Sequence, residues 1–125
     1  MRMTTFGLTN VGLLRSNNED TFLVEGPLMI VADGMGGAAA GEVASLLAVN
    51  TIASSVREHP GLSAANAEAV LEKAIVEADR LIRTRAEHEK DLSGMGTTVV
   101  AAIWFEENVL IGFVGDSRAY AVTGS

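Results

Sequence analysis

The residues most suited to chemistry are four carboxylates and one arginine, all in turns next to predicted strands. Glu19 and Asp20 follow Arg15 in a polar turn, while Asp33 and Asp116 each follow an apolar run. Proteins often place ligand-binding groups in such turns. Each carboxylate is also compatible with a solvated turn, and Arg15 with an ion pair to Glu19 or Asp20. If the carboxylates converge, their mutual repulsion requires cations in the pocket they form.

The stretch around Asp33 has the most specific pattern in the chain. The apolar run Leu28–Ala32 ends at Asp33, and four glycines follow within eight positions. The run predicts a strand buried on both faces, and the glycines predict a tight turn into a helix. Glycines let the backbone come close to a ligand, so a binding site is one interpretation of this stretch.

Glycine-rich turns of this type bind three kinds of ligand in proteins, and this sequence does not suit all of them. A phosphate loop is excluded because Glu42 stands where the loop needs its lysine. A dinucleotide fingerprint fits the glycine spacing, but it would set Asp33 against a pyrophosphate, and a helix follows where a parallel strand is needed. A divalent metal ion makes use of the negative charge, with Asp33 and the Gly34 carbonyl as hard oxygen donors. A plain turn with a solvated aspartate remains open for this stretch taken alone.

Composition limits the possible functions. The 125 residues correspond to one domain or part of one, and 48% hydrophobic with 20% charged residues is typical of a globular chain. A net charge of -7 without a basic run argues against nucleic acid and anionic membranes as partners. The absence of cysteine excludes disulfides and cysteine-ligated zinc. With no secretory signal pattern and no apolar run of about 20 residues, we expect no membrane segment and a cytoplasmic location.

The predicted elements form a block of strands, two helices and a second block of strands. The strands are Met3–Val11, Thr21–Val24 and Leu28–Ala32, the last two as a hairpin, then Thr97–Phe105, Val109–Val114 and Ala119–Val122. The helices run from about 41 to 58 and from about 64 to 90. Helical spacing predicts that the first helix turns Val43, Leu46, Leu47, Asn50, Ala53 and Val56 inward. This order predicts an α+β fold with both helices on one face of an antiparallel sheet.

Four short motifs follow one another along nearly the whole chain. They are Arg15-x-x-x-Glu19-Asp20, Asp33-Gly34-Met35-Gly36-Gly37, Gly94-Met95-Gly96-Thr97-Thr98 and Gly115-Asp116-Ser117-Arg118-Ala119. In type, order and spacing they resemble the bacterial branch of the PP2C (PPM) family, the metal-dependent serine/threonine protein phosphatases. The resemblance implies a layered α-β-β-α sandwich of antiparallel sheets. It also implies hydrolysis of phosphoserine and phosphothreonine by a water that bridges two Mn²⁺ or Mg²⁺ ions. The partners implied are phosphorylated proteins, together with a serine/threonine kinase that shares those substrates.

The resemblance assigns a role to each matching residue. Asp33 corresponds to the aspartate that bridges the two ions, and Gly34 to the residue whose carbonyl binds one of them. Glu19 corresponds to the acid that binds an ion through a water molecule. Asp20 corresponds to its neighbour, which orients the attacking water or accepts its proton. Arg15 corresponds to the arginine that binds the phosphate.

The C-terminal part of the sequence departs from the family pattern. Asp116 resembles the ligand of a third, weaker ion, but no later residue matches the family's Asp-Gly-x-x-Asp motif or its last metal-binding aspartate. Met35 stands where many eukaryotic relatives have a histidine proposed as general acid. We therefore expect residues 1–125 to be the N-terminal part of a single phosphatase domain, an incomplete domain. The alternative is a catalytically inactive truncated fragment, or a non-catalytic binding module of the same fold.

Overall fold

An antiparallel sheet with two helices packed against it makes up the regular structure of the chain. The structure is a computed structural model and describes residues 2–37 and 39–124. The strands are β1 (Asp20–Glu25), β2 (Leu28–Met35), β3 (Gly96–Thr97), β4 (Val99–Phe105) and β5 (Asn108–Val114). The helices are α1 (Ala40–Arg57) and α2 (Ala67–His88), with a 3₁₀ turn at Lys90–Leu92. None of the helices described is both long and apolar enough to cross a membrane.

The strands are arranged in the order β1-β2-β4-β5, and β3 pairs with the far end of β2. All pairs are antiparallel. The β1–β2 hairpin is confirmed, and Gly26 provides its turn with a positive φ of 55°. The ladder between β2 and β4 pairs Leu28 with Ile103 and Val31 with Val100. This order places the C-terminal ends of β2, β3 and β5 close together, at one end of the sheet.

The hydrophobic core lies between the sheet and the helices. Alternate residues of the central strands point toward the helices, including Leu28 and Ile30 of β2 and Ile103 of β4, none more than 1% exposed. Ile52 of α1 is likewise fully buried. The predicted α+β layering, with both helices on one face, is what the structure shows. Burying several such side chains contributes about 1.5–3 kcal/mol each, so this layer holds α1 against the sheet.

The prediction that β2 is buried on both faces is wrong, and β5 is exposed as well. Along β2 burial alternates, and Val31 is 51% exposed on the face turned away from the helices. On β5, Ile111 and Phe113 are 46% and 67% exposed. Both helices lie on the same face, and on the opposite one Val31, Ile111 and Phe113 stay exposed, while Gly7 lies close to Phe22 of β1. We call this surface the open face of the sheet.

Two predicted strands do not form. Residues 3–11 and 119–122 adopt no strand in the structure, and Phe6, Leu8 and Tyr120 are largely exposed. A β-rich composition forms a strand only against a partner strand, because its stability comes from cross-strand pairing and packing. Neither segment has such a partner among the described residues.

Both predicted helices form, with different details. In α1 the inward face is rotated from the predicted one: Leu46 is 49% exposed, while Ala44, Ser45 and Ala48 are buried. The small side chains let α1 approach the sheet closely, so they face inward although larger apolar residues are available. The start of α2 is later than expected, because residues 63–66 form a turn in which Asn66 accepts from the Ser63 amide at 2.8 Å.

Candidate metal centre

Two neighbouring rows across one end of the sheet hold most of the predicted site residues. In the first row Asp20 of β1 is the register partner of Asp33 of β2. In the second row Gly34 pairs with Thr97 of β3, and the Gly34 amide donates to the Glu19 carbonyl at 3.2 Å. Partners in such rows have Cα atoms about 4.5–5.5 Å apart. Antiparallel pairing thus brings together groups that are distant in sequence.

One cavity of about 300 Å³ opens at this end of the sheet. Its lining residues are Arg15, Glu19, Asp33, Gly34, Met35, Gly36, Thr98 and Asp116. Five of the six predicted site residues therefore line a single cavity. The sixth, Asp20, is outside the lining but its side chain is hydrogen-bonded to that of Asp33.

The Asp20 and Asp33 side chains form an acidic pair. Burial raises the pKa of Asp20 above its ordinary value of 3.8, and the hydrogen bond and negative charge of Asp33 raise it further. Arg15 lowers the pKa of Asp20, and Glu19 adds to the rise. A cation bound beside the two carboxylates would relieve the same repulsion.

The donor chemistry of the cavity fits a hard divalent cation. Carboxylate and carbonyl oxygens are the ligands that Mg²⁺ and similar ions prefer, and such ions usually keep several waters. Across residues 2–37 and 39–124, however, no group of three or more histidine, aspartate or glutamate side chains is arranged to hold a metal ion. The described residues therefore fit part of a coordination shell, centred on Asp33 and its neighbours.

Helix α1 holds the backbone of Glu19 in place through Ser45. The Ser45 hydroxyl is fully buried and donates to the Glu19 carbonyl at 2.7 Å, with the Glu42 carbonyl at 3.2 Å. Thr21 of β1 completes the arrangement, with its hydroxyl 2.8 Å from that of Ser45. Sequence reasoning gave Ser45 no role. The signal for it is a polar residue on the buried face of an apolar helix.

Two glycines let α1 approach the site closely. A Cβ on Gly41, in the first turn of α1, would overlap the Glu19 carboxylate and lie 2.8 Å from the Met35 amide nitrogen. A Cβ on Gly34 would overlap the backbone carbonyl of Gly41. Glycine at both positions therefore sets the contact between β2, α1 and Glu19.

The chain matches a known protein family over most of its length. Residues 15–125 match the family described as protein phosphatase 2C. The serine/threonine phosphatase stp of Listeria innocua is 46% identical over 118 residues, which cover 90% of this chain and 47% of that protein. The serine/threonine protein phosphatase PstP of Mycobacterium tuberculosis is 40% identical over 109 residues, covering 87% of this chain and 21% of PstP. The chain thus spans about half of the first relative and less of the second.

Solved structures show the same fold. A bacterial serine phosphatase superposes with a TM-score of 0.86 at 35% identity, covering 93% of this chain and 49% of that one. The catalytic domain of PstP, solved in complex with two manganese ions, superposes with a TM-score of 0.78 at 39% identity, covering 87% and 46%. These findings confirm the resemblance and the fold class expected from the four motifs. The chain belongs to the protein phosphatase 2C family.

Proposed function

We propose that residues 1–125 are the N-terminal part of a metal-dependent protein serine/threonine phosphatase domain. The observation that supports this most strongly is the cavity where Asp33, paired with Asp20, meets Arg15 and Asp116. An acidic pair beside an arginine suits a site that takes both divalent cations and a phosphate group. The lengths of the matched relatives support a longer domain.

In this proposal the cation ligands are Asp33, the Gly34 carbonyl, Glu19 through a water, and Asp116. Mn²⁺ or Mg²⁺, two ions with a third at Asp116, would supply charge neutralisation for the phosphate and acidify the attacking water. The two manganese ions of the PstP structure support the choice of metal. The pair of Asp20 and Asp33 suits this assignment, because a bound cation would relieve the repulsion that raises the pKa of Asp20.

Arg15 and Asp20 are the proposed catalytic residues. The Arg15 guanidinium lines the cavity and has the planar, forked donor geometry that binds two oxygens of a phosphate at once. Asp20, once ionised, accepts the proton of the attacking water through a carboxylate oxygen. Water then displaces the serine or threonine oxygen from phosphorus, and that oxygen leaves with the bonding electron pair and takes up a proton from solvent. No covalent intermediate forms on the protein, in keeping with a chain that has no cysteine.

The proposed substrates are proteins phosphorylated on serine or threonine. The names of the relatives support this substrate class. A serine/threonine kinase acting on the same substrates stays a prediction of the family resemblance. A cytoplasmic location stays a prediction from the missing secretory signal pattern and the lack of a long apolar run.

One observation favours the alternative of a non-catalytic module. No cluster of three acidic or histidine side chains arranged for a metal ion is present among the described residues. If the carboxylates of residues 1–125 bind divalent cations only weakly, these residues alone would have the family fold without catalysing phosphate hydrolysis.

The test is phosphate release from phosphothreonine and phosphoserine peptides by the product of the full reading frame that encodes this sequence. We expect turnover that needs millimolar Mn²⁺ or Mg²⁺, is abolished by EDTA, and falls at least about a hundredfold in Asp33→Asn. The matched control is Asp79→Asn on the outer surface of α2, where an exposed aspartate pairs with Arg83 at 2.9 Å. This control should keep wild-type turnover.

The 125-residue chain alone serves as the second arm of this experiment. We expect no metal-dependent release above a blank without protein, because each ion would remain mostly water-coordinated. Metal-independent turnover in the full product, or full activity in Asp33→Asn, would contradict the proposed function.

A further inference from the structure

We propose that Thr98 is a positioning residue that fixes Asp33 of β2 relative to the turn that holds Asp116. The register of the sheet places it there. Gly34 pairs with Thr97, and Val31 pairs with Val100, so Thr98 lies directly opposite Asp33. Thr98 is therefore the neighbour of Asp33 on one side, as Asp20 is on the other.

Thr98 binds both backbone polar groups of Asp33. The Thr98 amide donates to the Asp33 carbonyl at 2.9 Å. In the opposite direction, the Asp33 amide donates at 3.2 Å to the hydroxyl of Thr98, where an ordinary ladder would use a carbonyl. The side chain of Thr98 thus replaces one backbone acceptor of the sheet, at the residue proposed to bind two cations.

The same side chain contacts the turn that follows β5. Its hydroxyl lies 2.5 Å from the hydroxyl of Ser117, next to Asp116. Its methyl group packs against Gly115, where an added Cβ would be only 2.7 Å away. Gly115 has a positive φ of 97°, so glycine is favoured there for both reasons.

Burial of Thr98 makes the loss of its hydrogen bonds costly. Thr98 is only 4% exposed, so water is poorly placed to replace a lost hydrogen bond. A hydroxyl has one donor and two acceptor positions, and here it serves the Asp33 amide and Ser117 together. Thr98 is thereby a short, buried link between the segments that hold Asp33 and Asp116.

The consequence for metal binding rests on the proposed function. Ligands bind an ion well only when their separation is held nearly constant, and groups that orient ligands typically change metal affinity 10–100-fold when removed. Because Thr98 connects two of the proposed ligand segments, its hydroxyl should be needed for cation affinity although it need not touch the cation.

The test compares Thr98→Val, which keeps the shape but removes the hydroxyl, with Thr98→Ser, which keeps the hydroxyl. The control is Thr51→Val on α1, where a threonine hydroxyl donates to the Leu47 carbonyl at 2.7 Å. Amide hydrogen exchange at Asp33 and paramagnetic broadening of the Asp33 and Gly34 amides by added Mn²⁺ are measured by NMR on the 125-residue chain. Neither readout needs catalytic activity.

We expect Thr98→Val to speed exchange of the Asp33 amide by about tenfold. We also expect it to raise the Mn²⁺ concentration for half-maximal broadening by about tenfold or more. Thr98→Ser and Thr51→Val should stay within about twofold of wild type in both readouts, since residue 98 keeps its hydroxyl in each of them. If Thr98→Val does not fold, Ser117→Ala removes the second partner of the hydroxyl and should weaken Mn²⁺ binding in the same direction.

The outcomes separate the two proposals. Wild-type values for both readouts in Thr98→Val, or an equal loss in Thr98→Ser, would overturn the role of the Thr98 hydroxyl. If Thr98→Val does not fold, an unchanged Mn²⁺ concentration for half-maximal broadening in Ser117→Ala would overturn the role of the Thr98 hydroxyl instead. If Mn²⁺ fails to broaden Asp33 in the wild type, the metal site is wrong, and the exchange rates still decide whether Thr98 positions Asp33.

Discussion

Replacing Gly34 with alanine tests whether β2 and α1 touch backbone to backbone beside the acidic cavity. A Cβ at this position would overlap the carbonyl carbon and oxygen of Gly41 and lie 2.8 Å from the Glu19 carbonyl oxygen. These obstructing atoms belong to the backbone, so no side-chain rotation can make room. The first turn of α1 must move away from the sheet, while the rest of the helix is held by the core.

The size of the effect follows from this geometry. Overpacking a well-packed site costs about 1–3 kcal/mol, and backbone obstruction puts Gly34→Ala near the upper end, about 3 kcal/mol. For a chain of this size, each kcal/mol lowers Tm by about 4 °C, so we expect a fall of about 12 °C. Thermal unfolding followed by circular dichroism, with urea titrations for the free energy of unfolding, measures both quantities.

Gly37→Ala is the matched control. An added Cβ there meets no atom within 4 Å, although the residue lies only three positions along the chain. We expect its free energy of unfolding to stay within about 0.5 kcal/mol of wild type. A Gly34→Ala variant that melts within about 2 °C of wild type would refute the close approach of α1 to β2.

Three further predictions concern the phosphate, the acidic pair and the open face of the sheet. In the full reading-frame product, Arg15→Ala should raise KM for a phosphothreonine peptide more than it lowers kcat, because the arginine binds phosphate in both ground and transition states; a loss in kcat alone would contradict this. In the metal-free chain, the pKa of Asp20 is raised, so the folded state holds a proton that the unfolded state has released. The free energy of unfolding of the metal-free chain should therefore fall as the pH rises from 3.8, the ordinary pKa of an aspartate, through the raised pKa of Asp20. Urea titrations should show a weaker fall in Asp20→Asn. Finally, the isolated chain should self-associate through its open face in size-exclusion chromatography. Phe113→Lys should reduce this, whereas Val76→Lys, at an exposed position of α2, should not; a monomeric wild type would contradict it.

Local patterns in the sequence were sufficient to predict the elements that build the site. Apolar periodicity predicts a helix over about residues 64–90, where α2 forms, and the strand pattern predicts the hairpin of β1 and β2. The residue types and their places at strand ends predict which residues form the site. The structure places five of the six predicted site residues around one cavity, and pairing of β1 with β2 places the sixth, Asp20, beside Asp33.

What the sequence could not show depends on contacts between distant segments. Burial of Ala44 and Ala48 in place of Leu46 follows from the close approach of α1 to β2, which the periodicity of one helix does not contain. Exposure of Val31 follows from both helices lying on one face. The segment 3–11 has strand-forming residues but no partner strand among those described.

The supporting residues of the site were missed for a related reason. Ser45 and Thr98 act on Glu19 and Asp33 through hydrogen bonds that join different elements. Thr98 belongs to one of the four motifs, but the motif assigns it no role, and for both residues the further signal is the buried position of a polar group. Such a role becomes visible when the register of the sheet is known.

The most direct measurement of the central claim is anomalous diffraction at the manganese edge from crystals of this protein grown with millimolar Mn²⁺. We expect an anomalous peak inside the cavity, within coordination distance of a carboxylate oxygen of Asp33. The same crystals of Asp33→Asn should lack that peak. Manganese found only at surface carboxylates such as Asp79, or an unchanged peak in Asp33→Asn, would contradict the assignment of Asp33 as a metal ligand.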